Sequence, residues 1–236
     1  DIKTFPSYNK AIRMSAAAGL KDFSNYLLYN FVDKPLDLYQ RLRINVELCD
    51  ELNVNIYSFP MKYHPIRKGK DDAEDLSHNR DYIGKHWNRK YIRAIQAILN
   101  STKGKVGKGI TFFLEAFGND ETEYMELLEM PETFILYRFF FKWLDEKGSM
   151  GTDHWRQCWS HCMNTLAEDE KQLVLDIIHT NTFYKEELEA VTSADALKLL
   201  NFYTNYRKDI ITPGTELYRL KQEYDENPTI QLRRKK

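Results

Sequence analysis

Four residues whose side chains bind soft metals lie close together in the second half of the chain: His154, Cys158, His161 and Cys162. Their spacing places them on one face of a helix. One straight helix cannot surround a tetrahedral ion with four ligands, so a metal site here needs a further ligand from elsewhere. The alternative is that both cysteines face the core and the histidines flank them, since cysteine is commonly buried without a ligand role. We favour buried cysteines and assign no metal ligand, and a metal site at these four residues stays open.

Two basic motifs could bind an anion. Residues 103–109 combine lysines with glycines, but they lack the spacing of a phosphate-binding loop and no strand precedes them, which favours a solvated loop. The second motif alternates cations with aromatic residues: Lys85, His86, Trp87, Arg89, Lys90, Tyr91 and Arg93. That pattern suits nucleic acid or an anionic ligand. Because the formal net charge is −1, we favour a charged helix face and expect no nucleic-acid partner.

The elements that must position such side chains begin with two runs of apolar and aromatic residues. Residues 23–31 and 54–60 are typical of strands, and residues 36–52 between them predict a helix with one buried face. Strands joined by such a helix are expected to be parallel neighbours with a right-handed crossover. Ligands of such sheets bind beyond the carboxyl ends of the strands. We therefore expect a site at residues 30–33 and 59–64.

The remaining pattern is mainly helical. A first helix is predicted over residues 8–18, an exposed loop over 64–81, and a helix from Tyr82 onward. The fold class is therefore α/β, a strand–helix–strand unit in residues 1–110, followed by a mainly α-helical region in residues 111–236. After Ile110 we predict no sheet and expect six aromatic side chains to be buried in helix contacts: Phe113, Phe117, Tyr137, Phe141, Trp155 and Trp159.

Bulk composition limits the environment of the protein. The 236 residues contain no apolar run near the roughly 20 residues of a membrane helix, so no membrane partner is expected. Three cysteines, two of them one helical turn apart, favour a reducing cytoplasm over a disulfide framework. The chain opens without an initiator methionine or a signal peptide and passes directly into a helix and a strand. We interpret this as the absence of an amino-terminal portion.

Three segments resemble radical S-adenosylmethionine (SAM) enzymes. Residues 27–38, LLYNFVDKPLDL, look like the fifth strand of such enzymes and its following helix. Residues 57–65, YSFPMKYHP, look like the sixth strand, which runs into a proline-containing loop over the cofactor. Residues 82–93, with Phe112-Phe113 and Ala116-Phe117-Gly118, are similar to uncharacterised members of that superfamily. The resemblance covers roughly the first 120 residues.

The resemblance implies the carboxyl-terminal half of a parallel barrel with a helical extension, and SAM and a [4Fe–4S] cluster as cofactors. Asn30, Asp33, Phe59 and Met61 would then lie at the carboxyl edge of the sheet, beside the adenosine of SAM. Asn30 and Asp33 would offer polar contacts, and Phe59 and the backbone around Pro60-Met61 would pack against the adenine. The alternatives are that Asp33 caps the following helix and that Phe59 belongs to the core. The resemblance assigns no catalytic residue.

One motif of that family is missing from this chain. Radical SAM enzymes hold their cluster on three cysteines at C-x3-C-x2-C spacing. Cys158 and Cys162 have the first spacing, but Thr165 stands at the third position. The resemblance therefore implies an enzyme only when this chain is joined to a cluster-bearing amino-terminal half or to a separate chain. The second hypothesis is a stand-alone helical interaction module without catalytic activity, whose aromatic faces bind a partner.

Overall fold

A computed structural model describes residues 3–65 and 80–230. The chain divides into two compact units, Asp1–Glu129 and Met130–Lys236. The described elements of the first unit are, in chain order, α1 (Phe5–Ala17), β1 (Asp22–Tyr29), α2 (Pro35–Leu52), β2 (Asn55–Lys62), α3 (Arg89–Ser101), α4 (Ile110–Phe117) and α5 (Glu121–Glu129). The predicted domain boundary after residue 110 falls elsewhere than this division, because α4 and α5 pack against α2 and α3.

Local capping groups decide where these helices begin and end. α1 ends before Gly19, whose φ of +99° is in the left-handed region that favours glycine. α2 begins at Pro35, and the carboxylate of Asp37 accepts the backbone N–H of Lys34 at 2.8 Å. The predicted start of the next helix at Tyr82 is wrong. α3 begins at Arg89 because Oδ1 of Asn88 accepts the N–H of Tyr91 at 2.7 Å.

Strands β1 and β2 pair in parallel, as the two apolar runs predict. The register sets Tyr26 beside Phe59 and Leu28 beside Met61. β1 ends at Tyr29, two residues earlier than predicted, because Asn30 has a left-handed φ of 70°. The described residues are mostly helical with this small parallel sheet, and the partial barrel remains a prediction.

The two faces of the sheet differ. α2 packs on one face, where side chains of alternate residues such as Leu27, Tyr29 and Ile56 are buried. A core cluster on that side joins α1, α2 and β2 and contains Ile12, Leu48, Cys49, Val54 and Ile56. On the other face Tyr26 is 70% exposed, Leu28 50% and Met61 47%. We call this second side the open face, and its residues are Tyr26, Leu28, Tyr57, Phe59 and Met61.

The second unit is helical throughout its described residues. Its elements are α6 (Glu132–Leu136), α7 (Arg138–Glu146), α8 (Thr152–Thr165), α9 (Glu168–Thr180), α10 (Lys185–Glu189), α11 (Ala194–Thr204), α12 (Tyr206–Ile211) and α13 (Glu216–Glu226). Its core is aromatic, with ring centroids of Phe134 and Phe141 4.2 Å apart and those of Phe202 and Tyr206 4.7 Å apart. Large rings such as these fill the space between short helices, together with buried aliphatic side chains.

The predicted burial of six aromatic residues is confirmed for four of them. Phe113, Phe117, Phe141 and Trp155 are buried, whereas Tyr137 and Trp159 are half-buried. As predicted, no described residue after Ile110 belongs to a strand.

Truncating a buried ring of the second unit should cost far more stability than truncating an exposed one nearby. We expect Phe141→Ala to lower the free energy of unfolding by about 3–5 kcal/mol, because it leaves a cavity. Phe139 is 56% exposed and its ring centroid lies 4.8 Å from Cζ of Arg138, so Phe139→Ala should cost about 1 kcal/mol or less. Urea denaturation followed by circular dichroism measures both. Similar losses for the two variants would contradict the described core.

Candidate functional site

The side chain of Asn30 joins three chain segments at the carboxyl end of the sheet. Its Oδ1 accepts the N–H of Gly84 at 2.8 Å. Its Nδ2 donates to the carbonyl of Tyr82 at 3.0 Å and to the carbonyl of Tyr63 at 3.3 Å. The residue is completely buried. Both amide hydrogens and the amide oxygen thus bond to backbone groups of the protein.

Gly84 allows the segment between Tyr82 and Asn88 to approach the strand end closely. A Cβ atom at this position would lie 2.5 Å from the carbonyl oxygen of Phe31, which is closer than any side chain permits. Beyond the glycine, Nε1 of Trp87 donates to the carbonyl of Asp33 at 2.9 Å. The Trp87 ring also packs on Tyr29, with centroids 5.4 Å apart. The segment is therefore held over the end of β1 at two points.

Asp33 forms a buried ion pair. Its Oδ1 accepts the N–H of Phe31 at 2.9 Å, and its Oδ2 lies 3.3 Å from Nη2 of Arg41. Arg41 also donates from Nη1 and Nη2 to the carbonyl of Leu28, each at 3.1 Å. The alternative helix-capping role of Asp33 is wrong, because its carboxylate accepts the N–H of Phe31 and pairs with Arg41 instead of bonding to the first turn of α2.

Burial controls the ionisation of this pair. Desolvation raises the pKa of Asp33 above its usual value, although the N–H of Phe31 and the charge of Arg41 act in the opposite direction. Desolvation likewise lowers the pKa of Arg41, against the attraction of Asp33. Such a pair is costly to break, because each charge would remain buried alone.

Tyr124 lies beside this ion pair and is completely buried. Its hydroxyl has no hydrogen-bond partner among the described residues. Burial raises the pKa of Tyr124, and the nearby carboxylate of Asp33 raises it further. The Tyr39 ring packs on Tyr124 with centroids 4.9 Å apart, but its own hydroxyl donates to the carbonyl of Gly118 at 3.1 Å.

Phe59 and Met61 lie on the open face, so the structure does not bring them together with the side chains of Asn30 and Asp33 on the buried side. Phe59 is half-buried, and its ring centroid lies 5.7 Å from that of Tyr26. Met61 pairs in register with Leu28. Among the described residues, Met61 is 47% exposed and Phe59 is partly exposed, whereas the side chains of Asn30 and Asp33 are buried and hydrogen-bonded to protein groups.

Sequence reasoning missed the partners that organise this region, namely Arg41, Gly84, Trp87 and Tyr124. One signal was available for Arg41, which stands three residues after Leu38 and four before Asn45, both buried on α2. A cation inside an apolar helical stripe indicates a buried ion pair. Gly84 and Tyr124 carry no comparable local signal.

The four possible metal ligands lie beside a pocket between α8 and α11. Cys158 and Cys162 are buried, as the favoured interpretation predicts. Nε2 of His161 lies 3.1 Å from Oδ2 of Asp195, and Sγ of Cys162 donates to the Asp195 carbonyl at 3.4 Å. Burial, with the charge of Asp195, raises the pKa of Cys162 to about 11, so its thiol is protonated at neutral pH. Across residues 3–65 and 80–230, no three His, Cys, Asp or Glu side chains lie close enough together to hold a metal.

Comparisons of this chain with family models, with curated proteins and with solved structures find no match. Along the residues that the structure describes, no helix combines the length and the apolar character needed to cross a bilayer. The geometry of the sheet and its surroundings therefore carries the functional interpretation.

Removing the Asn30 amide should destabilise the first unit more than removing a second asparagine with similar backbone geometry. Asn30→Ala leaves the Gly84 N–H and two carbonyls without a partner, so we expect a loss of about 2–4 kcal/mol in the free energy of unfolding. Asn53 also has a left-handed φ, of 50°, but it is exposed and accepts only from Lys108. Asn53→Ala should cost about 1 kcal/mol. Equal losses in urea denaturation would contradict the bridging role of Asn30.

The hydroxyls of two packed tyrosines should respond in opposite ways to removal. Tyr124→Phe removes a buried hydroxyl without a described partner, so we expect the free energy of unfolding to rise by about 1 kcal/mol. Tyr39→Phe removes a hydroxyl that donates to the carbonyl of Gly118 and accepts from Nη1 of Arg43 at 3.4 Å, and it should lower the free energy of unfolding by about 1 kcal/mol. Thermal and urea denaturation of both variants test this. A loss of stability in Tyr124→Phe would show that its hydroxyl is bonded after all.

Proposed function

We propose that the unit Asp1–Glu129 supplies cofactor- and substrate-binding strands to a radical SAM enzyme. The supporting observation is that, among the residues the structure describes, a helix packs on one face of the parallel sheet, while large apolar side chains are exposed on the other. Parallel sheets normally have both faces covered. In a barrel, the face opposite the helices lines the interior, so the open face corresponds to the side that meets cofactor and substrate.

Within this proposal the four residues expected at the site take two roles. Phe59 and Met61, whose side chains are on the open face, pack against the adenine of SAM. Asn30 and Asp33 act through the backbone, because their side chains already bond to protein groups. The hydrogen bonds of these two side chains fix the position of the carboxyl end of β1, where the cofactor is expected to bind. Catalytic residues are not assigned.

The [4Fe–4S] cluster does not fit on this chain. It needs three cysteine ligands, and the chain has three cysteines in all. Cys49 is buried in the core of the first unit, and Cys158 and Cys162 lie on α8 in the second. The cluster ligands therefore have to come from an amino-terminal half or a separate chain. Three free thiols support a reducing cytoplasmic environment, which the cluster also requires.

A helical interaction module without catalytic activity is the second candidate. It is favoured by large apolar side chains exposed on the second unit, of which Phe139, Tyr184 and Ile211 are 56%, 61% and 64% exposed. Exposed apolar side chains are typical of partner surfaces when they form one patch.

The test uses the natural gene product that carries this chain together with clustered cysteines, or this chain with a separately encoded partner that supplies them. After anaerobic reconstitution and reduction, we expect SAM to be cleaved to 5′-deoxyadenosine, detected by mass spectrometry. A preparation that binds no cluster and forms no 5′-deoxyadenosine would refute the enzyme and favour the interaction module.

Variants of the open face then locate the cofactor. Met61→Ala and Phe59→Ala each remove apolar contact area, so we expect SAM affinity to fall about tenfold in each. Met14 on α1 is 64% exposed and lies outside the proposed site, so Met14→Ala is the matched control and should leave affinity unchanged. Unchanged affinity in both Met61→Ala and Phe59→Ala would remove these residues from the cofactor site.

A further inference from the structure

The loop of residues 103–109 is attached to the free edge of β2. After the end of α3 at Ser101, Gly104 has a φ of +76°, and its N–H donates to the carbonyl of Leu99 at 2.8 Å. Two residues later, Val106 exchanges backbone hydrogen bonds with Ser58 at 2.7 and 2.8 Å. This antiparallel bridge lies on the side of β2 away from β1. The loop was predicted to be a solvated connection, but this bridge pairs it with the edge of the sheet.

The bridge determines which loop side chains reach the open face. Val106 and Ser58 are both buried on the helix-covered side. Because side chains alternate along extended backbone, Lys105 and Gly107 point to the opposite side, with Tyr57 and Phe59. The observed contacts agree with this alternation. Nζ of Lys105 lies 5.3 Å from the Tyr57 ring centroid, and a Cβ at Gly107 would lie 3.3 Å from Cδ1 of Tyr57.

Of the described residues that the register places on the open face, Lys105 is the one cation, and it lies beside an uncharged aromatic surface. One row of side chains crosses the open face, because Tyr26 pairs with Phe59 and the Ser58–Val106 bridge sets Lys105 opposite Phe59. Asp22 is the other charged residue that the described register places on this side, but it lies at the amino end of β1 and accepts a hydrogen bond from Asn55 at 2.9 Å. A ligand complementary to Lys105 and the tyrosine rings is both planar and anionic.

We propose that this part of the open face binds an aromatic substrate with an anionic group, of the class of nucleoside monophosphates. The base stacks on Tyr26, which is 70% exposed, and the phosphate contacts the ammonium group of Lys105. The bound nucleotide lies on the amino-terminal side of Met61. The proposal rests on the proposed function for the choice of face, and it names the substrate class that the face accepts.

The test measures binding of uridine 5′-monophosphate to this chain by calorimetry, with uridine and inorganic phosphate as separate probes. A pyrimidine nucleotide avoids the adenine of the cofactor, and the titration needs no iron–sulfur cluster. A failure here is therefore distinguishable from a failure of SAM cleavage. We expect the nucleotide to bind more tightly than either part, because both the base and the phosphate find a contact.

The matched variants are Lys105→Gln and Lys103→Gln, which remove exposed cations from the same loop. We expect Lys105→Gln to weaken nucleotide binding about fivefold and to leave uridine binding unchanged, since a single exposed charge contact is worth little more. Lys103→Gln should change nucleotide affinity less than about twofold. Equal weakening by both variants, equal affinity for nucleotide and uridine, or no nucleotide binding would each overturn the proposal.

Discussion

The organisation of the first unit depends on one buried amide. Asn30 is the residue at which β1 stops, and its side chain bonds to backbone groups from the end of β2 and from the segment before α3. These groups would otherwise be buried without partners, which is expensive away from water. A single side chain thus ties together the places where a ligand of a parallel sheet is expected to bind.

The ion pair between Asp33 and Arg41 connects the same strand end to α2. Arg41 links α2 to the carbonyl of Leu28 and to the carboxylate of Asp33. A buried pair of this kind contributes little net stability by itself, since desolvating both charges offsets their attraction. Its effect is geometric, because the fork of the guanidinium has fixed directions and fixes the distance between the helix and the strand end. Because these polar groups bond to α2, they lie on the buried side of the sheet.

Side-chain alternation separates the inward polar network from the apolar side chains that the described residues leave exposed on the open face. Side chains of a strand alternate between its two sides, so a strand whose polar partners and core contacts are on one side presents its remaining side chains on the other. Tyr26, Leu28 and Met61 are exposed there, and the Ser58–Val106 bridge adds Lys105 to the same side. A surface with these properties is suited to ligands that are flat, largely apolar and negatively charged at one end. It is equally the surface on which the radical SAM proposal depends.

Local sequence patterns were sufficient to predict β1, α2 and β2, because the two apolar and aromatic runs and the recurrence of Leu38, Leu42 and Val46 between them are local properties of the chain. A long helical connection then required parallel strands. The start of α3 could not be predicted in this way. Residues near Tyr82 have a helical pattern, yet their backbone bonds to Asn30, which is 52 positions away along the chain. Likewise, the resemblance placed Phe59 and Met61 together with Asn30 and Asp33 at one edge of the sheet, but only the packing of α2 decided that Phe59 and Met61 lie on the open face. Contacts between distant residues have no signature in a local pattern, so only the tertiary structure could decide which polar side chains are occupied and which face is left for a ligand.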